Sequence, residues 1–140
     1  IMYDLDRFIK AQENDYQVAL SEIRNGKKRS HWIWYIFPQI EGLGYSSTSK
    51  YYAIKNLDEA KEYLDNNILG SRLLEISNEL LNLSSNNATE IFGKPDDMKL
   101  QSSMTLFTMV EDSDLVFQQV LDKFFDGIAD DKTVKIINSK

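Results

Sequence analysis

The chain has 140 residues, a formal net charge of −6 and no cysteine, so a disulfide framework and thiolate metal sites are excluded. Its length is typical of a single domain, and its negative charge repels phosphate backbones, so we expect no nucleic-acid binding. No apolar stretch approaches the about 20 residues that span a bilayer, and no secretory signal is visible, so we predict a cytoplasmic protein without a membrane partner.

The first third of the chain is predicted to contain one long helix and one short helix. Apolar residues recur at steps of three and four over about 4–25, and Gly26 supplies the left-handed residue that commonly ends a helix. Residues 31–37 are almost entirely apolar, and Ser30 is a suitable N-cap, so we favour a short buried helix over a strand there. Residues 42–49 follow as a loop with two glycines and four hydroxyl side chains.

The rest of the chain is predicted to be a series of helices opened by Asn, Asp or Ser caps. Only residues 46–54 have a β-like composition, and they are rich in hydroxyl groups. The predicted helices cover 57–66, 69–83, a single turn from Asn87 to Gly93, 95–110, a segment capped by Asp112 or Ser113 and closed by Gly127, and a last helix from Asp130 through 137. The sequence therefore predicts a single all-α domain, an irregular multihelical array of about seven helices.

His31 is the chain's one histidine and the candidate for catalytic acid–base chemistry, because its unperturbed pKa lies at about 6.5. A packing or capping role is the common alternative for a histidine beside aromatic residues. One histidine without cysteines does not complete a metal site, so we predict none. Of the neighbouring tryptophans, Trp32 and Trp34, we expect one in the core and the other partly open, where it could stack on a planar ligand.

The glycine-containing loop is a candidate for ligand binding. Gly42 and Gly44 allow backbone N–H groups to approach a ligand closely, and hydroxyl groups such as that of Ser46 could donate to an anion. The loop lacks the Gly-x-x-x-x-Gly-Lys pattern of phosphate loops, so an ordinary surface loop is an equal alternative.

Residues 96–105 form the second candidate segment. Asp96, Lys99 and Ser103 fall on one helical face, where they would contact a polar ligand or simply cap the helix and form a solvated ion pair. Hydroxyl residues in succession are poor helix formers, so a demand other than helix propensity is expected to place them here. The basic run 27–29 is usually a solvated turn, but beside a pocket it would attract an anion.

We expect these segments to meet in a cleft that binds a small polar or anionic ligand, with nucleotide-like molecules among the candidates. Docking of another protein through the aromatic segment 31–37 is the alternative. The sequence predicts no cofactor and assigns no reaction. The predicted ligand-binding residues are Arg29, His31, Trp34, Gln39, Gly42, Gly44, Ser46, Asp97, Lys99, Ser102, Ser103 and Thr105.

Two long motifs, one from Lys28 to Gly44 and one from Asp97 to Phe107, resemble a known family. The family is bacterial and fungal, is catalogued as domain of unknown function 1810, and sometimes carries the automatic label calpastatin. The resemblance extends over nearly the whole chain, and it implies a compact multihelical fold with no assigned reaction. Inhibition of the calpastatin type is not expected, because such inhibitors are disordered and this chain has the composition of a folded domain.

Overall fold

Nine helices form within residues 2–140, which are the residues that the structure, a computed structural model, describes. No strand occurs among them, so the predicted all-α class is confirmed, with two helices more than the about seven predicted. The helices are α1 (Asp6–Arg24), α2 (Ile33–Ile36), α3 (Ser47–Tyr52), α4 (Leu57–Asp65), α5 (Asn67–Leu81), α6 (Ala88–Phe92), α7 (Asp96–Thr108), α8 (Val116–Phe125) and α9 (Asp131–Asn138).

A row of buried aromatic rings connects α1, α4, α7 and α8 at the centre of the molecule. The ring centroids of Phe8 and Tyr63 are 5.1 Å apart, and those of Tyr63 and Phe107 are 5.5 Å apart. Phe117 of α8 continues the row at 5.6 Å from Phe107. Each such pair adds about 0.5–1.5 kcal/mol to the stabilisation from burial alone, so this row holds the helices in register.

The segment predicted as a loop and β-like stretch contains α3, which corrects both predictions. The Ser46 hydroxyl accepts a hydrogen bond from the Ser49 N–H at 3.1 Å and caps the helix, because a hydroxyl side chain satisfies a free N–H of the first turn. The extended pairing here is limited to one isolated parallel bridge between Ile40 and Ile54. The hydroxyl residues that were predicted to form a loop therefore begin a helix.

Helix caps were predicted correctly at three positions and incorrectly at α2 and α8. Side chains accept the expected backbone N–H groups at Asn56, Asn87 and Asp130. At α8, neither Asp112 nor Ser113 is the cap, since the Val116 N–H donates to the Asp114 carboxylate at 2.8 Å. Asp112 instead takes a left-handed conformation, with φ of 62°, in the turn that precedes the helix.

The short helix α2 is present as predicted, but Ser30 does not cap it. Trp32 occupies the N-cap position without a side-chain hydrogen bond, and the Ser30 hydroxyl donates to the Glu22 carboxylate of α1 at 2.7 Å. Trp32 is buried and Trp34 is partly exposed, so the predicted division between the two tryptophans is confirmed. Within residues 2–140, no helix has both the length and the apolar composition needed to cross a membrane.

Candidate functional site

A cavity of about 290 Å³ lies between α2, the 39–44 loop, α3 and the first residues of α7 and α9. Its apolar part comes from residues of three segments: Ile40, Leu43, Ala53, Pro95 and Met98. The aromatic residues Trp34 and Tyr52 complete this wall, and both are half-buried. Apolar walls with a few polar groups are the usual composition of small-molecule sites.

More positive than negative side chains line the cavity. Three lysines line it, Lys50, Lys99 and Lys132, against two carboxylates, Glu41 and Asp130. The cavity therefore carries a surplus of positive charge in a protein whose net charge is −6. Such a local reversal attracts anions into the cleft while the remaining surface repels them.

Lys99 is held in place by a group of charges and rings behind the cavity. Its ammonium nitrogen lies 3.1 Å from one oxygen of Asp96 and 3.8 Å from the centroid of the Trp34 ring. The other Asp96 oxygen lies 2.8 Å from the Lys28 ammonium, which is almost fully buried. Burial raises the pKa of Asp96, but the hydrogen bonds and charges of Lys28 and Lys99 outweigh it and lower that pKa.

The pairing of two lysines with one carboxylate leaves one positive charge uncompensated. Lys28 is the better buried of the two and also donates to the Ser30 carbonyl, whereas Lys99 lines the cavity. An ammonium group has three N–H donors, and among the described residues only Asp96 accepts a hydrogen bond from that of Lys99. Lys99 is therefore oriented and retains donors for a ligand.

Glu22 of α1 fixes the backbone that leads into α2. Its carboxylate accepts hydrogen bonds from the backbone N–H groups of Arg29 and Ser30, the Ser30 hydroxyl and the Trp32 indole N–H. Burial raises the pKa of Glu22, but these hydrogen bonds outweigh it and lower the pKa to about 2. The start of α2, and with it Trp34, is thus positioned by an ionised carboxylate.

A buried ion pair fixes the cavity wall that is formed by α3 and the residues after it. Arg7 of α1 pairs with Glu59 of α4 at 2.9 Å, and both side chains are almost completely buried. The remaining guanidinium donors bind the carbonyls of Tyr51 at 2.8 Å and Ala53 at 2.9 Å. The Glu59 carboxylate also accepts the Lys55 N–H, so the chain leaving α3 is fixed on both sides.

The hydroxyl residues of α7 attach the start of α9. The Ser102 hydroxyl lies 3.0 Å from the Asp130 carboxylate, and the Thr105 hydroxyl accepts the Asp130 N–H at 2.8 Å. Asp130 in turn caps α9 by accepting the Thr133 N–H. The unfavourable helix residues noted in the sequence therefore connect two helices, a structural role that the sequence pattern did not reveal.

Half of the predicted ligand-binding residues are brought together by the fold. They line the cavity: Trp34, Gln39, Gly42, Gly44, Lys99 and Ser102. Gly44 has a packing role as well, because a Cβ there would lie 2.5 Å from the Ser49 hydroxyl oxygen. The loop can therefore approach α3 this closely only with glycine at this position.

The other six predicted ligand-binding residues lie outside the cavity lining. Three of them, Arg29, His31 and Ser46, come before α4 in the chain. Arg29 and His31 are exposed, and the His31 side chain makes no hydrogen bond to the described residues. The Ser46 hydroxyl is used in capping α3. The predicted convergence of His31 with Lys99 in one concavity is therefore not what the structure shows.

The remaining three belong to α7 and are buried in its packing. Asp97 accepts a hydrogen bond from the Thr89 hydroxyl of α6, and Thr105 donates to the Gln101 carbonyl. Ser103 is completely buried, and its hydroxyl has no hydrogen-bond partner among the described residues. These side chains face neighbouring helices because successive helical positions point in different directions.

Four charged lining residues were not among the predicted site residues, and one of them, Asp130, was predicted only as a helix cap. Lys50, Lys132 and Glu41 are exposed residues in short segments, where a single charged residue has no periodic context. The only available signal was their proximity in sequence to the glycine loop and to the cap at Asp130. The notable basic run 27–29 contributes Lys28, which acts from behind the cavity through Asp96.

A second concavity of about 370 Å³ lies between α4, α5 and residues 110–114. Its charged lining is mainly acidic, and Lys61, its one lysine, pairs with Asp65. None of the predicted site residues lines it. No group of three or more His, Asp or Glu residues in the described part of the chain is arranged to hold a metal ion.

The fold and the lysine-lined cleft define an all-α protein with one basic cavity on an acidic background. The family described as a protein of unknown function (DUF1810) matches residues 2–137, and the chain belongs to this family. The crystal structure of the conserved hypothetical protein Rv1873 from Mycobacterium tuberculosis is similar, with 42% identity, a TM-score of 0.95 and 97% of each chain covered. No curated protein is detectably similar to the chain in sequence.

Proposed function

We propose that the protein binds a small polar or anionic ligand in the lysine-lined cavity, with nucleotide-like molecules among the candidates. The observation that carries the proposal is the placement of Lys50, Lys99 and Lys132 around one concave, largely apolar cavity in a protein of net charge −6. A cavity with apolar walls and a few convergent polar groups is the usual form of a ligand site.

Contacts that fix the cavity walls support the proposal that the cavity is a binding site. Lys99 is fixed by Asp96 and Trp34, and the α3 wall is fixed by the Arg7–Glu59 pair. A site that is already ordered loses less conformational entropy on binding, so more of the interaction energy contributes to affinity. The proposal is limited to binding, since His31, the candidate acid–base residue, does not line the cavity.

Protein docking through residues 31–37 has less support. The apolar side chains of Trp32, Ile33, Ile36 and Phe37 are buried in the core. Trp34 and Tyr35 are half-buried, and Trp34 belongs to the cavity. The segment thus presents no large exposed apolar patch of the kind that marks a docking surface.

Binding can be tested by thermal shift and calorimetry with AMP, ADP-ribose and glucose 6-phosphate. We expect at least one of them to raise the melting temperature, and Lys99→Met to weaken its affinity about tenfold, the loss of a charged hydrogen bond. Lys10→Met, an exposed lysine of α1 outside the cavity, is the matched control and should leave the affinity unchanged. Equal binding by both variants would exclude the cavity as the site.

A further inference from the structure

The charge of the cavity is suited to one negative charge. Its three lysines and two carboxylates leave a surplus of one positive charge, and the Lys28–Asp96–Lys99 group behind it has the same surplus. Hydrogen bonds from Ser102 and Thr133 hold the Asp130 carboxylate in the cavity wall, so its negative charge faces any ligand there. A ligand with several phosphate groups would place additional negative charge beside Asp130 and Glu41, where like charges repel.

The rest of the lining is suited to an apolar, flat body. Most of the accessible surface of the cavity is apolar, and the indole of Trp34 and the phenol ring of Tyr52 supply aromatic faces and edges. Besides the five charged groups, the polar side chains of the lining are Gln39, Ser49 and Ser102. Both serine hydroxyls are already hydrogen-bonded, so a sugar or polyol would leave many of its hydroxyl groups without partners. An unpaired polar group that loses its water opposes binding, whereas an aromatic ring in the same space favours it.

The volume indicates the size of the ligand body that the cavity can hold. About 290 Å³ is at the lower edge of the range of about 300–1,000 Å³ found for ligand pockets. A bicyclic aromatic compound with a short acidic arm fits this size, and a dinucleotide exceeds it. The mouth is flanked by the exposed side chain of Met98, which extends the apolar surface outwards.

We infer that the ligand is an aromatic monoanion whose single acidic group binds Lys99 while its ring lies against the apolar wall. This inference rests on the proposed function and specifies its ligand class. Two sources share this chemistry, an aryl carboxylate and a cyclic nucleoside monophosphate, since each carries one negative charge beside an aromatic ring system.

Calorimetry with the full chain can separate the two sources and test each part of the inference. The probes are 1-naphthaleneacetate and cyclic AMP, compared with the neutral 1-naphthaleneacetamide, with acetate, and with ADP-ribose as a larger dianion. We expect one of the two monoanions to bind at least tenfold more tightly than the amide, acetate and ADP-ribose. Lys99→Met should remove this preference for the acid over the amide, and Lys10→Met should retain it.

The outcomes distinguish this inference from the proposed function. Tighter binding of ADP-ribose than of both monoanions, lost in Lys99→Met, would overturn the monoanion inference and leave the binding function intact. If the naphthalene acid binds, equal binding of its amide would overturn the role of the charge. If no probe binds and the AMP and glucose 6-phosphate measurements are also negative, the proposed function itself fails.

Discussion

The Lys99 ammonium nitrogen lies 3.8 Å from the centroid of the Trp34 ring, and the two residues come from α7 and α2, more than sixty positions apart in sequence. A cation over an indole face contributes about 0.5–1 kcal/mol at an exposed site and about 2 kcal/mol when it is desolvated. This contact joins the two sequence motifs directly, and it places a fluorescent side chain, Trp34, next to the Lys99 charge.

Removal of the Lys99 charge should change the fluorescence of Trp34. In Lys99→Met we expect an altered emission maximum or yield and a loss of about 0.5–2 kcal/mol in the free energy of unfolding, since the cation–π contact is lost. Emission spectra and urea denaturation measure both effects. In a Trp34→Phe background, where buried Trp32 alone emits, the same substitution should leave the spectrum unchanged. A spectral change there would mean that Lys99 acts on Trp32 instead.

The buried Arg7–Glu59 pair should have a much larger effect on stability than an exposed pair. Arg7→Met leaves an unpaired carboxylate in the core, and we expect a loss of about 3–5 kcal/mol in the free energy of unfolding. Asp65→Ala, which breaks the exposed pair with Lys61, should change the free energy of unfolding far less, because solvent screens that pair.

A double variant separates the ion pair from simple packing. Arg7→Met combined with Glu59→Leu removes both charges. The double variant should therefore lose less free energy of unfolding, measured by chemical denaturation, than the two single variants lose together. Additive losses would show that the two side chains act independently. Ligand affinity should also fall in Arg7→Met, because the carbonyls of Tyr51 and Ala53 lose their donors and the α3 wall loosens.

Most of the fold could be predicted from the sequence because amphipathic periodicity and caps are local signals. The long α1 and the caps at Asn56, Asn87 and Asp130 follow from such signals and were placed correctly. α3 was missed because its six residues are hydroxyl-rich and aromatic, with no buried stripe to reveal a helix. Its stability comes from tertiary contacts, among them the Arg7 hydrogen bond to the Tyr51 carbonyl.

The candidate site was harder to predict, because residue type does not determine where a side chain points. Lys99 and Trp34 line the cavity, whereas their near neighbours Ser103 and His31 do not. Ser102 lines the cavity and the adjacent Ser103 is buried in the core, because successive helical positions point in different directions. The role of Lys50 depends on the loop folding back towards α9, a long-range relationship without a local pattern.

The Glu22 carboxylate should make stability depend on acidic pH. Its pKa is about 2 in the folded protein, below its ordinary value of 4.5, so the unfolded chain takes up a proton first as the pH falls. The stabilisation is therefore complete above about pH 4.5 and is lost as the pH falls towards 2. Because the Glu22 side chain is partly exposed, solvent screens its charge, and Glu22→Gln should cost about 0.5–1 kcal/mol at pH 7, with a difference from the wild type that shrinks below pH 4.5.

Chemical denaturation of both proteins at several pH values between 7 and 3 measures this difference. Glu13→Gln is the matched control, because Glu13 is an exposed residue of the same helix. Its difference from the wild type should stay small at every pH. A Glu22→Gln difference that remains constant down to pH 3 would show that the carboxylate charge does not stabilise the start of α2.

Ser102 and Ser103 are adjacent in α7 and should respond in opposite ways to substitution by alanine. Ser102→Ala loses the hydrogen bond to Asp130, and we expect a loss of about 0.5–1.5 kcal/mol together with weaker ligand binding, since Asp130 lines the cavity. Ser103→Ala removes a buried hydroxyl that has no partner among the described residues, so stability should stay the same or rise, with unchanged affinity. Urea denaturation and calorimetry of the two variants measure both quantities. A larger loss in Ser103→Ala than in Ser102→Ala would contradict the assignment of Ser102 to the cavity wall and of Ser103 to the core.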